Sequence, residues 1–104
     1  MFRSIIYLNP KGGDVQSLID YFLGAKVLEH SAEVDGFISA ELFRSTSGGP
    51  MMVTATWVSE EAYQKWIDHP WRIESNAKIN KVLEDQIKSE TRGDMYKLVH
   101  QVDR

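Results

Sequence analysis

Residues 56–71 read TWVSEEAYQKWIDHPW and hold all three tryptophans of the chain. The stretch divides into four local signals. Thr56-Trp57 ends a β-branched, apolar run. Ser59 suits a helix N-cap, with Glu60 and Glu61 at the positive end of the helix dipole that follows. A short helix over 60–68 puts Tyr63, Trp66 and Ile67 on one side, because residues three and four apart are neighbours on a helix. Pro70 then interrupts it, since proline lacks the N–H a helix interior needs. A longer helix, roughly 71–88, presents Ile73, Ala77, Ile79, Val82, Leu83 and Ile87.

Before this stretch, MMVTATWV (51–58) reads as a strand. Met51, Val53, Ala55 and Trp57 share one face, and Thr54 and Thr56 take the other. The loop TSGGP (46–50) joins it to FISAELFRS (37–45), a second strand. There Phe37, Ser39, Glu41 and Phe43 face one way and Ile38, Ala40 and Leu42 the other, with the turn signal Asp35-Gly36 in front. Residues 2–8, FRSIIYL, form a first strand ended by Asn9-Pro10-Lys11-Gly12-Gly13. Asp14 caps a helix from Val15 to about Glu33, striped by Leu18, Phe22, Ala25, Leu28 and Ala32 and weakened at Gly24. After Arg92-Gly93, DMYKLVHQV (94–102) closes the chain as a strand. The order β-α-β-β-α-β predicts an α+β, ferredoxin-like fold with one antiparallel sheet and helices on one face. The alternating sides of the last strand are both partly apolar, so the other sheet face predicts a homodimer packed sheet to sheet.

A length of 104 residues predicts one domain spanning 1–104. A formal charge of −3 without a basic stripe gives no case for nucleic-acid binding. The absence of cysteine excludes disulfides, a thiolate nucleophile and Cys-ligated metal. The opening MFRSIIYLNPKGG is neither signal peptide nor membrane span, which predicts a soluble, cytoplasmic protein. Lys11-Gly12-Gly13 lacks the spacing of a phosphate loop, and no hydrolase elbow, dinucleotide fingerprint or histidine-carboxylate cluster is present. No cofactor and no metal is implied.

The strand-end Trp57, the Ser59-Glu60-Glu61-Ala62-Tyr63 that follows, Trp66, His69-Pro70 and the Gly36-Phe37 strand start resemble the antibiotic-biosynthesis-monooxygenase family of dimeric α+β barrels. The resemblance in element order covers nearly the whole chain, and its specific part spans 36–76. It implies two sheets facing each other across a homodimer, with one pocket per subunit between sheet and helices. Two chemistries are implied by the family. One oxidises electron-rich phenols or anthrones to quinones without a cofactor: the deprotonated substrate itself reduces dioxygen, and tryptophan and tyrosine stand where this chain has Trp57 and Tyr63. The other degrades haem with an asparagine, a tryptophan and an axial histidine. Trp66 falls at that tryptophan, but the histidine position is Asn76 and the asparagine position is about Ile5. Asparagine ligates haem iron poorly, which argues against haem degradation by that route. In the quinone-forming branch, an arginine of some members also falls at Asn76, and a polar residue of the third strand becomes Val53.

The candidate site therefore joins Tyr63 and Asn76, which would orient substrate oxygens, with Trp57, Trp66 and Val53 shaping the cavity and His69 as base. Each has a plainer reading. Trp57, Tyr63 and Trp66 are equally core aromatics whose polar tips need partners, and His69 before Pro70 reads as a turn residue. The predicted function is cofactor-independent monooxygenation of a phenolic or quinol-type small aromatic with dioxygen. A non-catalytic small-molecule binding module on the same fold is the alternative, and haem binding the third.

Overall fold

The computed structural model describes residues 1–88 and 91–104. Four strands form one antiparallel sheet: β1 (Phe2–Leu8), β2 (Phe37–Phe43), β3 (Met51–Trp57) and β4 (Asp94–Lys97), in the order β2-β3-β1-β4. Helices α1 (Val15–Ala25) and α2 (Val27–Ser31) connect β1 to β2, and α3 (Glu60–Ile67) and α4 (Pro70–Ile79) connect β3 to β4. This is the ferredoxin-like α+β arrangement expected from the sequence.

Register explains which residues meet the helices. Ser4 lies opposite Ala55, Ile6 opposite Val53 and Leu8 opposite Met51, so these side chains share one face. Leu8 and Met51 pack with Leu18 and Phe22 of α1 and with Ile79 and Leu83. Ala55 and Trp57 pack with Ala62, Tyr63 and Ile67 of α3 and with Val34. The helix-covered face thus carries two apolar clusters rather than one continuous core. Each large side chain buried there contributes about 1.5–3 kcal/mol.

The other sheet face carries Tyr7, Phe43 and Tyr96, which are 59%, 49% and 57% exposed, with Thr54 between them and buried. The Thr54 Oγ1 has no hydrogen-bond partner among the described residues.

Three element boundaries and one strand alternation differ from the sequence reading. The first helix does not run unbroken to Glu33: it stops at Lys26, which takes left-handed φ 56° and ψ 47° before α2 begins. The alternation expected for β2 fails at its start, because the register shifts between Phe37 and Ser39. That bulge puts one extra residue on β2, so Phe37 joins Ala40 on the helix-covered side while Ile38 is 42% exposed. The second long helix begins at Pro70 and ends at Ile79. Its expected continuation to Lys88 is replaced by a 3-10 turn over Asn80–Val82 and an extended Leu83 that bridges to Pro10. The Asn80 side chain holds this path by accepting from Ile87 N at 2.9 Å and donating to Ile87 O at 2.8 Å. The last strand covers Asp94–Lys97 and not 94–102, although Leu98 N still donates to Met1 O at 2.9 Å.

The expected caps form. Asp14 accepts from Ser17 N, and Ser59 accepts from Ala62 N. Gly36 is required where the chain enters β2. Its φ is +93°, and a Cβ there would lie 2.7 Å from the Ala62 Cβ and 2.8 Å from the Val58 Cγ2. No described helix is long and apolar enough to cross a membrane.

Candidate functional site

A cavity of about 90 Å³ lies between the sheet and the helices, where the two apolar clusters fail to meet. Trp57, Tyr63, Trp66, Asn76 and Val53 all line it, so five of the six expected site residues come together. His69 does not reach the lining.

Trp57 is fully buried at the end of β3, where Phe37 meets it edge-on at 5.6 Å and Tyr63 lies at 5.6 Å on the other element. Its indole N–H donates to the Ser4 hydroxyl at 3.0 Å. Tyr63 projects from α3, and its phenolic oxygen accepts from Gly93 N at 2.7 Å. The Arg92 guanidinium lies 5.1 Å from the centre of the Tyr63 ring. Burial raises the Tyr63 pKa above its ordinary 10.0, against the lowering pull of the Gly93 amide and of Arg72 and Arg92. The phenol is therefore a neutral donor at physiological pH. Asn76 lies in α4 and donates its amide to Ile87 O at 3.0 Å, beside the Asn80 bond to the same oxygen.

His69 is the N-cap of α4. Its Nδ1 accepts from Trp71 N at 3.1 Å, and its Nε2 stands 3.5 Å from Glu33 Oε1. An imidazole whose Nδ1 is an acceptor carries its proton on Nε2 when neutral, so neither nitrogen is placed to take a proton from a ligand in the cavity.

Several lining residues were not singled out in the sequence. Arg72 and Ser75 of α4, Tyr21 of α1 and Trp71 all face the cavity. Arg72 donates to Thr91 O at 2.7 Å, and burial lowers its pKa below the ordinary guanidinium value. Burial likewise raises the Tyr21 pKa, opposed by a hydrogen bond with Ser75. The missed signal is helical spacing: Arg72, Ser75, Asn76 and Ile79 fall at i, i+3, i+4 and i+7 once the helix starts at Pro70. Trp71 stacks against Trp66 at 6.1 Å and against His30 at 4.1 Å, and both tryptophans line the cavity.

Among the described residues the lining has no carboxylate, imidazole or thiolate. Among the described residues no group of three histidine, cysteine or acidic side chains could hold a metal ion. The residues present do not fit a haem. No imidazole faces the cavity, and both lining tyrosines are held towards the neutral phenol.

Comparison with known proteins agrees with this architecture. The haem-degrading protein MhuD from Mycobacterium tuberculosis, solved with two haems in its active site, aligns over 99% of this chain and 100% of its own at 21% identity and TM-score 0.74. Its haem-free, cleaved form aligns over 66% of this chain and 79% of its own at 28% identity and TM-score 0.54. A protein from Nitrosomonas europaea described as a candidate antibiotic biosynthesis monooxygenase covers 96% of this chain and 100% of its own at 11% identity and TM-score 0.75. At such identities these likenesses carry the fold and nothing finer. No curated protein matches the sequence significantly. The family model for antibiotic biosynthesis monooxygenases matches residues 1–71, which include β1, the β2–β3 hairpin and the Trp57–Tyr63–Trp66 wall. By that match over more than half its length, the chain belongs to the antibiotic biosynthesis monooxygenase family.

Proposed function

We propose that this protein binds a small, flat, phenolic or quinol-type aromatic in the cavity beside Trp57 and oxidises it with dioxygen, without a cofactor. The observation that carries the reading is the composition of the wall: indole and phenol rings and aliphatic side chains, with hydrogen-bonding groups at Tyr63, Ser75 and Asn76 and one cation at Arg72. Such a wall orients an oxygenated ring and excludes water.

In this reaction the substrate gives up a proton, and the resulting anion passes one electron to dioxygen. The radical pair recombines to a peroxide, which loses water and leaves one oxygen atom in the quinone. The substrate supplies every electron. Tyr63 is a neutral donor suited to the developing oxyanion, and Arg72 adds positive potential on the same side. Trp57, Trp66 and Val53 shape the slot. Among the described lining residues none is a carboxylate or imidazole, so in this scheme the substrate proton leaves to solvent, and His69 supports the site as a helix cap.

We further propose a homodimer in which the Tyr7–Phe43–Tyr96 face of the sheet is covered by a second copy. Three exposed aromatics around a buried, unpartnered Thr54 hydroxyl support this. One domain spanning 1–104 and a cytoplasmic location are parts of the same proposal.

A second reading, ligand binding without turnover, is favoured by one observation. The polar tips of Tyr63, Arg72 and Asn76 already bond the backbone at Gly93, Thr91 and Ile87. Oxygen-electrode measurements with a panel of hydroquinones and anthrones separate the two. Enzyme-dependent oxygen uptake with quinone formation supports the oxygenase. A ligand-dependent rise in melting temperature without uptake supports the binding module, and neither effect removes both.

A further inference from the structure

The cavity is bounded on one side by α2, through Val27, Leu28 and Ser31. This helix has five residues, too few to persist on its own hydrogen bonds. It is joined to α1 by Lys26, the one non-glycine with positive φ among the described residues (56°). A side chain with a Cβ is disfavoured in that left-handed region, so the joint is a strained one.

At its far end the chain is fixed. Val34 is part of the buried cluster around Trp57, and Gly36 O accepts from Val58 N at 2.8 Å. Between these ends, the contacts to the opposite rim are partly solvent-exposed. The His30 ring stacks on Trp71 at 4.1 Å and 18°. Glu33 Oε1 lies 3.0 Å from His30 Nδ1 and 3.5 Å from His69 Nε2, with the three side chains 57%, 32% and 24% exposed. Since His69 Nδ1 accepts from Trp71 N, its Nε2–H is the group that faces Glu33. Exposed contacts of this kind hold weakly.

We infer that α2 is the lid of the cavity, hinged at Lys26 and latched to the α3–α4 rim by His30 on Trp71 and by Glu33 on His69. The inference rests on the reading of the cavity as a ligand site. The lid gives a partly open cavity of about 90 Å³ beside the Trp57 wall a way to widen for an aromatic ligand. Swinging α2 away removes Val27, Leu28 and Ser31 from the lining and opens the space over Trp66 and Trp71.

Amide hydrogen exchange on the ligand-free protein tests it, because local opening is read directly as faster exchange. Amides of residues 28–33 are expected to exchange about tenfold or more faster than those in the second half of α1. Glu33→Ala and His30→Ala are each expected to raise exchange in α2 a further severalfold while α1 stays unchanged. Exchange in α2 no faster than in α1, or insensitive to both variants, overturns the lid. Stopped-flow tryptophan fluorescence with 1-naphthol provides the second arm, with Glu33→Ala expected to speed association. If binding occurs at the same rate in wild type and Glu33→Ala, the lid is also overturned. Fast, latch-sensitive exchange without any 1-naphthol binding upholds the lid and removes the phenolic-ligand reading instead.

Discussion

Trp57 Nε1 donates to Ser4 Oγ at 3.0 Å across the β1–β3 pair, two residues along β3 from the Ala55 that pairs with Ser4. Both side chains are buried, and both line the cavity. The bond gives the buried indole N–H its acceptor at the cavity wall.

Ser4→Ala leaves the Trp57 N–H buried without its acceptor. The expected loss is about 1–3 kcal/mol of stability, the cost of an unsatisfied buried donor. Urea denaturation followed by tryptophan fluorescence measures it, and Ser4→Thr, which restores a hydroxyl, is expected to recover part of the loss.

Tyr63 sets the alkaline limit of stability. Its folded pKa is raised by burial, so the native state keeps a proton that the unfolded chain releases near pH 10.0. Stability from this group is whole below that pH and falls as pH rises towards the folded pKa. Tyr21 is shifted in the same direction. Unfolding free energy measured between pH 8 and about 11 is therefore expected to fall less steeply in Tyr63→Phe than in wild type, and least in the Tyr21→Phe/Tyr63→Phe double variant. An unchanged slope in the single variant would contradict the assignment.

The His69 position separates a base from a cap. His69→Ala removes the acceptor for Trp71 N and is expected to cost about 0.5–2 kcal/mol, the usual loss at an N-cap. His69→Asn keeps a capping oxygen and is expected to restore most of that stability. In an oxygen-uptake assay with a hydroquinone turned over by the wild type, His69→Asn is expected to retain turnover. A fall of a hundredfold or more, the scale of losing a general base, would return His69 to the chemistry.

The wall from Trp57 to Trp66 was legible because each of its signals is local: a strand end, a Ser cap, i and i+3 aromatics, and a proline. Gly36-Phe37 was legible for a similar reason, although the close approach to Ala62 that demands the glycine is a tertiary fact. The bulge at Ile38 was not, because a period-2 reading assumes an unbroken pleat. Lys26 was not either: Gly24 only weakened the expected helix, and the chain turns left-handed two residues later at a side chain that gives no signal for it. Val82, Leu83 and Ile87 keep helical spacing beyond Ile79, yet Asn80 bonds Ile87 from both ends of its amide and the chain leaves the helix. Arg72 was missed because its helical spacing with Ser75, Asn76 and Ile79 shows only once the helix is known to start at Pro70. Only the fold brings Tyr63 towards it.

The exposed sheet face makes a prediction of its own through Thr54. In an isolated subunit the Thr54 hydroxyl is buried with no partner among the described residues, so the near-isosteric Thr54→Val removes an unsatisfied group and is expected to stabilise by about 1 kcal/mol. In the proposed homodimer a second copy covers Tyr7, Phe43 and Tyr96 and brings polar groups within reach of that hydroxyl. There Thr54→Val is expected to be neutral or destabilising, and Tyr7→Glu with Phe43→Glu to split the assembly by burying like charges across the symmetric contact. Sedimentation at micromolar concentration decides between the two. A wild-type protein that sediments as a monomer and is stabilised by Thr54→Val defeats the dimer, whereas a dimer that the paired glutamates dissociate identifies this face as the one it uses.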